Sequence, residues 1–597
     1  MAPKEHQKVS LRHVLILFRL INCFFVQSFF QPDEFWQCLE PAHYMAFGYG
    51  DLTWEWKFGL RSYAIPFIFE LVYRTVGAVS KFASGIVYMA ANSFAALVHY
   101  LAPNSDLGWE MAFEMQQFPR EIQEFLEYQG VLWAPKIFMA LLAAVGEWYM
   151  IDFIDEVLSR AFNGDEKDKV SNKAHVKIAA SILSLTNFFN YFMITRTFAN
   201  TFEMALTSIA LYYWDWSMGQ TISSRDFTVS LFLGILLCFQ RPTNALIWVP
   251  LGTYTVLNLT LRNDTQNLLR LGRKLFFVFF QVFILNLGID YYFYGHLSVP
   301  AYRFIKFNYT SALSSFYGTA PWHFHLLQTL PLILGFSIPL FAYGFFFMNF
   351  KKTIGFLGNT VTQIRVIVII NVLAFSAVSH KEFRFLYTLQ PFLTLFSSAA
   401  LGRLIPKIKE VKNALLKSIL WAVPFISIFS ALAILSFQEV GVIEVTKYLH
   451  NIPRVQSVGF IMPCHSTPWQ SHIHRKDIGD LWSITCEPPL YLLNDPQGKK
   501  KLSDYMDESD YLYENIPKFV YKNFPPVFRK ELRSPGKVYT HEWPEYLVIF
   551  QHLDEEFMNK FLEDSGYLVE KRFFNSLKHW DSRRSGDIIV YHKPPWV

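Results

Sequence analysis

The sequence predicts an α-helical polytopic membrane protein that ends in a small polar domain. Three observations lead there. Of the 597 residues, 52% are hydrophobic and only 17% charged, whereas an average soluble domain is roughly one quarter charged. Apolar runs of span length recur as far as residue 437, each long enough for a hydrocarbon core ~30 Å thick. Residues 438–597 are different material, charged and proline-rich, with no run long enough to span.

In chain order the predicted spans are 11–30, 61–80, 83–101, 132–152, 176–194, 201–217, 226–240, 242–258, 274–290, 326–348, 364–379, 386–402 and 418–437. That is about thirteen transmembrane helices, within a range of 11–13. The first run is too long for a cleavable signal peptide, and no small-residue cleavage site follows it. Lys and Arg in short loops mark the cytoplasmic side. The N-terminal segment, with Lys4, Lys8 and Arg12, falls on the same side as loops 261–274 and 403–417 and as Lys351 and Lys352. That side reads as cytoplasmic, and an odd span count places 438–597 opposite. The net charge of +5 is scattered over these connectors. It forms no continuous basic face, so nucleic-acid binding is excluded as a reading.

The loops of the far face carry different chemistry. "QPDEFWQCLEPAHYMAFGYGDLTWEW" (31–56), within the loop 31–60, holds Asp33, Glu34, Asp51, Trp54 and Glu55. "TRTFANTFE" supplies Arg196, and "FQRPTN" supplies Arg241. "SSFYGTAPWHFH" adds Trp322, His323 and His325, and "SHKEFRFLY" adds His380, Lys381, Glu382 and Arg384. Taken singly, adjacent acids can complement a helix N-terminus, and an Arg at a span end can anchor at the interface. Ionisable groups at a bilayer are costly, however, and mark function when they gather. These clusters all fall on one face, which predicts a concave charged site there. Neighbouring residues on a helix point in different directions, so Asp33 is the acid expected to face the pocket.

These motifs carry a resemblance. The 31–56 segment, "LRSYAIP" and "HKEFRFLY" resemble glycosyltransferase family 22, polytopic mannosyltransferases of the GT-C fold, from about residue 11 to the C-terminus. "RPTNALIW", "SSFYGTAPWHFH" and "GFIMPCHSTPWQSHIH" (459–474) are similar to one branch of that family. Its members add an α-1,2-linked mannose to the second mannose of a GPI-anchor precursor. The resemblance implies dolichyl-phosphate mannose as donor, an endoplasmic reticulum membrane location, and a lumenal site and C-terminal domain. It also implies inversion by a single displacement, which needs one base for the attacking hydroxyl and positive charge at the leaving phosphate.

Asp33 is then the expected base, with Glu34 beside it. Arg384 and Lys381, then His380, and more distantly Arg196 and Arg241, are the expected phosphate ligands. Asp51, Trp54, Glu55, Trp322 and His323 are candidates for the acceptor. In an oxidising lumen Cys464 and Cys486 are expected to pair as a disulfide. His465, His472 and His474 lack partners at zinc-site offsets, and the chemistry asks for no metal or other cofactor. Two alternatives stand beside this reading. One is an N-glycan mannosyltransferase acting on a lipid-linked oligosaccharide. The other is a transporter, which would place ionisable pairs near the midplane and repeat itself in two halves.

Overall fold

The computed structural model describes residues 10–593 apart from 102–105, 162–165, 311–312, 314–315, 317, 351–358, 494, 496 and 528–531. Lys4, Lys8, Lys351 and Lys352, part of the orientation reading, lie outside the described residues.

Helices dominate the first 437 residues. Among the described residues six are long and apolar enough to cross a membrane: Ala64–Leu101, Phe113–Ala161, Thr265–Tyr294, His325–Phe347, Thr360–Ala377 and Ala414–Phe437. The other predicted spans appear as shorter or more charged helices of the same bundle, such as Leu11–Phe25, Ala199–Tyr213, Arg225–Gln240 and Ala245–Leu261. Leu11–Phe25 is tied in by a fully buried ion pair, Arg19 to Glu147 at 2.5 Å, with Asn22 and the Ser184 carbonyl as further partners.

The expected spans 61–80 and 83–101 are not two crossings. They form one 38-residue helix, Ala64–Leu101, ~57 Å long at 1.5 Å per residue. Lys81 marks the expected break, but a lone lysine is a good helix former. The 56-residue helix Asp106–Ala161 runs back alongside it. Tyr128 of that helix stacks on His450, with ring centroids 3.4 Å apart, and Glu127 lies 3.4 Å from His474. At its far end Trp148 receives Arg12 over its ring, 3.5 Å from the centroid. Ser80 bonds Glu127 and Arg74 bonds the Met45 carbonyl. Through residue 80, therefore, Ala64–Leu101 has not left the end of the bundle that meets the C-terminal domain.

His325–Phe347 is broken into short turns of differing pitch. Pro331 and Pro339 each remove a backbone donor, and Gly335 takes a φ of +53°.

The C-terminal region folds around five strands: β1 (Ser457–Ile461), β2 (Asp480–Ser483), β3 (Tyr546–Phe550), β4 (Leu568–Phe573) and β5 (Ile588–His592). Their order is β2-β1-β3-β5-β4. β1 is parallel to β2 and β3, whereas β5 is antiparallel to β3 and β4. Strand side chains alternate between faces, and both faces of this sheet are apolar. Leu547, Ile549 and Ile589 pack on Leu512 and Phe519 of the outer helices. Val458, Phe460, Val548 and Val590 pack on Phe35, Trp36, Cys38 and Leu39. One face of the sheet is thus the floor beneath the loop that bears the acid pair.

Candidate active site

Pro32 begins the turn that presents the acids, its carbonyl accepting from the Phe35 and Trp36 amides. A wide helical turn, Phe35–Leu39, continues from it. Asp33 and Glu34 therefore diverge, each to an arginine from a distant segment.

Asp33, 27% exposed at its side chain, pairs with Arg384. Arg384 is 8% exposed and also grips Glu382, Nε to Oε2 at 2.8 Å and Nη2 to Oε1 at 3.0 Å. It sits in a tight helical turn, Phe383–Leu389, that precedes the helix Gln390–Glu410. Its Nη1 has no hydrogen-bond partner among the described residues. Burial acts to raise the Glu382 pKa, but the Arg384 charge and the His380 hydrogen bond hold it well below the carboxylate range. Burial also works against the Arg384 charge, and Asp33 and Glu382 more than restore it. His380 donates toward Glu382 at 3.1 Å and toward the Gly318 carbonyl. For His380 burial lowers the pKa, and the Glu382 contact outweighs it, so the net shift is upward.

The remaining expected phosphate ligands fall in different places. Arg241 comes within 3.1 Å of Glu203, and its charge is felt at Arg384 and Glu382, so it belongs to the cluster. Lys381 is turned to the Ala320 and Val378 carbonyls at 2.8 and 2.5 Å, and burial lowers its pKa. Arg196 is fully buried. Its nitrogens go to Glu34 at 2.9 Å, to the Ser28 carbonyl and hydroxyl, and to the Phe192 carbonyl. Arg196 and Glu34, the latter 4% exposed, form a buried strut behind the site and not a ligand pair facing it. Desolvation explains the arrangement: neither charge can be buried without the other.

The acceptor candidates divide in the same way. Asp51 accepts the Trp469 indole N–H at 2.9 Å, and Trp54 is buried with Leu60, Phe307 and Leu492. Glu55 pairs with Arg61 at 2.8 Å. Trp322 is 68% exposed, and its ring meets His323 edge-on.

Arg61 is a residue that reading the loops for acid–base clusters misses. It lies in "LRSYAIP", and its charge interacts with Asp33 and Arg384. The signal was a lone cation between two aromatic segments. Arg384 thus pairs with Asp33, the Arg61 charge is felt at both, and the Arg241 charge is felt at Arg384 and Arg61. Cys464 and Cys486 are joined by a disulfide. Together with His465 they make a cluster of metal-ligand types, but both sulfurs are committed to each other.

The C-terminal segment after β1 is bonded directly to the acid-bearing loop. The Trp36 indole donates to the Thr467 carbonyl at 3.1 Å. Glu40, 1% exposed, accepts from the Trp469 and Ser471 amides. Burial pushes its carboxyl up to about 7, those hydrogen bonds opposing. His43 and His474 meet ring to ring at 2.9 Å.

A family model described as the Alg9-like mannosyltransferase family matches residues 11–474. A Kluyveromyces lactis protein, "GPI mannosyltransferase 3", is 50% identical over 98% of this chain and 98% of its own length. A Mus musculus protein, "GPI alpha-1,2-mannosyltransferase 3", is 29% identical over 97% of this chain and 88% of its own. The structure of ArnT from Cupriavidus metallidurans bound to undecaprenyl phosphate covers 97% of both chains, at 9% identity and a TM-score of 0.49. That likeness carries no argument about mechanism.

Proposed function

The chain belongs to the Alg9-like mannosyltransferase family, and from that premise we propose that it transfers mannose from dolichyl-phosphate mannose in α-1,2 linkage to the second mannose of a GPI-anchor precursor. The reaction takes place at the lumenal face of the endoplasmic reticulum membrane, with the N-terminus cytoplasmic. The fold is of the GT-C type, and the crossing number is the low end of 11–13, because the hairpin of Ala64–Leu101 and the start of Asp106–Ala161 stays at the site end.

In the displacement, the 2-hydroxyl oxygen of the acceptor bonds to the anomeric carbon of the donor as the carbon–oxygen bond to phosphate breaks. The electron pair leaves on dolichyl phosphate, and the hydroxyl proton goes to Asp33. Attack from the face opposite the phosphate inverts the β-mannoside to an α-mannoside. Charge grows on the phosphate oxygens, and donors fixed beforehand stabilise it most. Arg384 is the central donor through Nη1, its other nitrogens held by Asp33 and Glu382; Arg241 and Arg61 add field. His380 orients Glu382. The leaving phosphate is met by Arg384 Nη1, and the proposed scheme routes no step through a metal.

The observation that carries the reading is Arg384 bridging Asp33 and Glu382, which couples the base to the phosphate ligand through one side chain. A lipid-linked oligosaccharide as acceptor would use the same donor and geometry, and the relatives' names favour the GPI precursor. Transport has no support from the family. The test supplies microsomes containing the protein with labelled dolichyl-phosphate mannose and either dimannosyl-GPI or a lipid-linked oligosaccharide. Label is expected in the GPI lipid and should be released by an α-1,2-mannosidase. Label only in the oligosaccharide would refute the assignment.

A further inference from the structure

His465 takes no part in the scheme above, yet its placement is built with care. The residue follows Cys464 in "PCHSTP" and holds a φ of +52°, a conformation costly for a side chain with a Cβ. Such strain persists only where the surroundings over-determine it, and it gathers at ligand-contacting positions. Here the surroundings are the Cys464–Cys486 disulfide, the Trp36–Thr467 hydrogen bond and the Glu40 bonds to Trp469 and Ser471. The imidazole packs on Trp36, ring centroids 4.7 Å apart, three residues from Asp33. Its Nδ1 lies 3.6 Å from the Cys486 sulfur. Its Nε2 has no hydrogen-bond partner among the described residues. Burial lowers its pKa to about 4, and the charges in reach are Asp33 and Arg584. The ring is therefore neutral, suited to a sugar hydroxyl and not to phosphate.

We propose that His465 contacts the acceptor sugar through Nε2 and fixes which hydroxyl is presented to Asp33, the disulfide-bonded loop serving as the acceptor-side wall of the site. The inference rests on the acceptor being a mannosylated glycolipid, as proposed above. It assigns to the C-terminal domain a direct part in acceptor choice, which the membrane helices alone would not supply.

The test uses the full-length protein in detergent with His465→Phe, which keeps ring packing on Trp36 but removes the nitrogen, and His465→Gln, which restores a polar tip. Initial rates are measured against each substrate separately. For His465→Phe the KM for dimannosyl-GPI is expected to rise ~10-fold or more, in line with the loss of one partner to a polar group. The KM for dolichyl-phosphate mannose should stay within about twofold. Gln should recover part of the acceptor effect, and Cys464→Ser with Cys486→Ser should reproduce its direction. An unchanged acceptor KM in folded His465→Phe, or equal rises in both KM values, would overturn the proposal. If wild type instead labels only a lipid-linked oligosaccharide, the function assignment has failed; the same KM comparison on that acceptor then still decides the role of His465.

Discussion

Replacing Arg384 by lysine separates a phosphate ligand from a charge that merely anchors a helix. Arg384 spends Nε and Nη2 on three contacts, two to Glu382 and one to Asp33, and keeps Nη1 for the donor. A lysine ammonium is a point charge on a flexible stem and can hold one carboxylate at a time. The variant should therefore retain net charge and fold but lose the second prong. A hydrogen bond to a charged group is worth ~1.5–3 kcal/mol, and each 1.36 kcal/mol off the barrier is tenfold. Loss of one transition-state contact predicts a rate ~10–150-fold lower at saturating dolichyl-phosphate mannose. Arg384→Ala should do worse and should also lower the thermal midpoint, since it strands Asp33 and Glu382 together. The assay is initial rate against donor concentration in solubilised protein, with folded fraction measured by size exclusion. If Arg384→Lys matches wild type at saturating donor, the arginine is only an anchor, and Arg241 becomes the better phosphate ligand.

Four further outcomes follow from the same geometry. Asp33→Asn should keep expression near normal while turnover drops at least ~10²-fold, the low end for a general base; near-normal turnover would remove it from that role. Glu34→Gln breaks the buried strut to Arg196, so its main effect should be on yield and thermal midpoint, a broken buried pair costing ~3–5 kcal/mol; a pure kcat loss in a stable protein would contradict this. Glu40 has a folded pKa raised to about 7 from 4.5, so its contribution of up to ~3 kcal/mol is fully present below pH 4.5 and is lost as pH rises from there through 7; melting curves should show the midpoint falling between about pH 4.5 and 7 in wild type and flattening in Glu40→Gln. For orientation, a glycan is expected at Asn308 and none at Asn258 or Asn263; peptide mapping that finds one at Asn263 would reverse the membrane sidedness.

Charge was the legible part of this site and packing was not. The acid pair and "HKEFRF" stand out because four ionisable residues in five positions are rare at a membrane face, and their contact spans 351 positions of sequence. Arg196 was read as a phosphate ligand for its charge alone. A sequence cannot distinguish a guanidinium that faces a cleft from one that is spent on Ser28, Phe192 and Glu34. Hydropathy likewise reported apolar length at 61–101 but not direction, so one long helix beside the C-terminal domain read as two crossings. The sheet beneath the loop was hidden for another reason. Its strands are short, and the central β1, β3 and β5 are buried on both faces, which gives continuous apolar runs in place of alternation.

The Trp36–Thr467 and Glu40–Ser471 bonds each join positions 431 apart, and this has a consequence for how the enzyme is made. A ribosome adding ~5–20 residues per second takes roughly 20–90 seconds to go from one partner to the other. Throughout that interval Phe35, Trp36 and Leu39 of the acid-bearing loop stay uncovered, since the sheet that covers them has not been synthesised. A chaperone with access to that loop would find a client there, and the pairing of Cys464 with Cys486 comes late in the same programme. A nonsense mutation between residue 438 and the last strand would leave every membrane helix in place and still yield a chain with an unsupported acid-bearing loop, so such truncated alleles should behave as complete losses, not as partial ones.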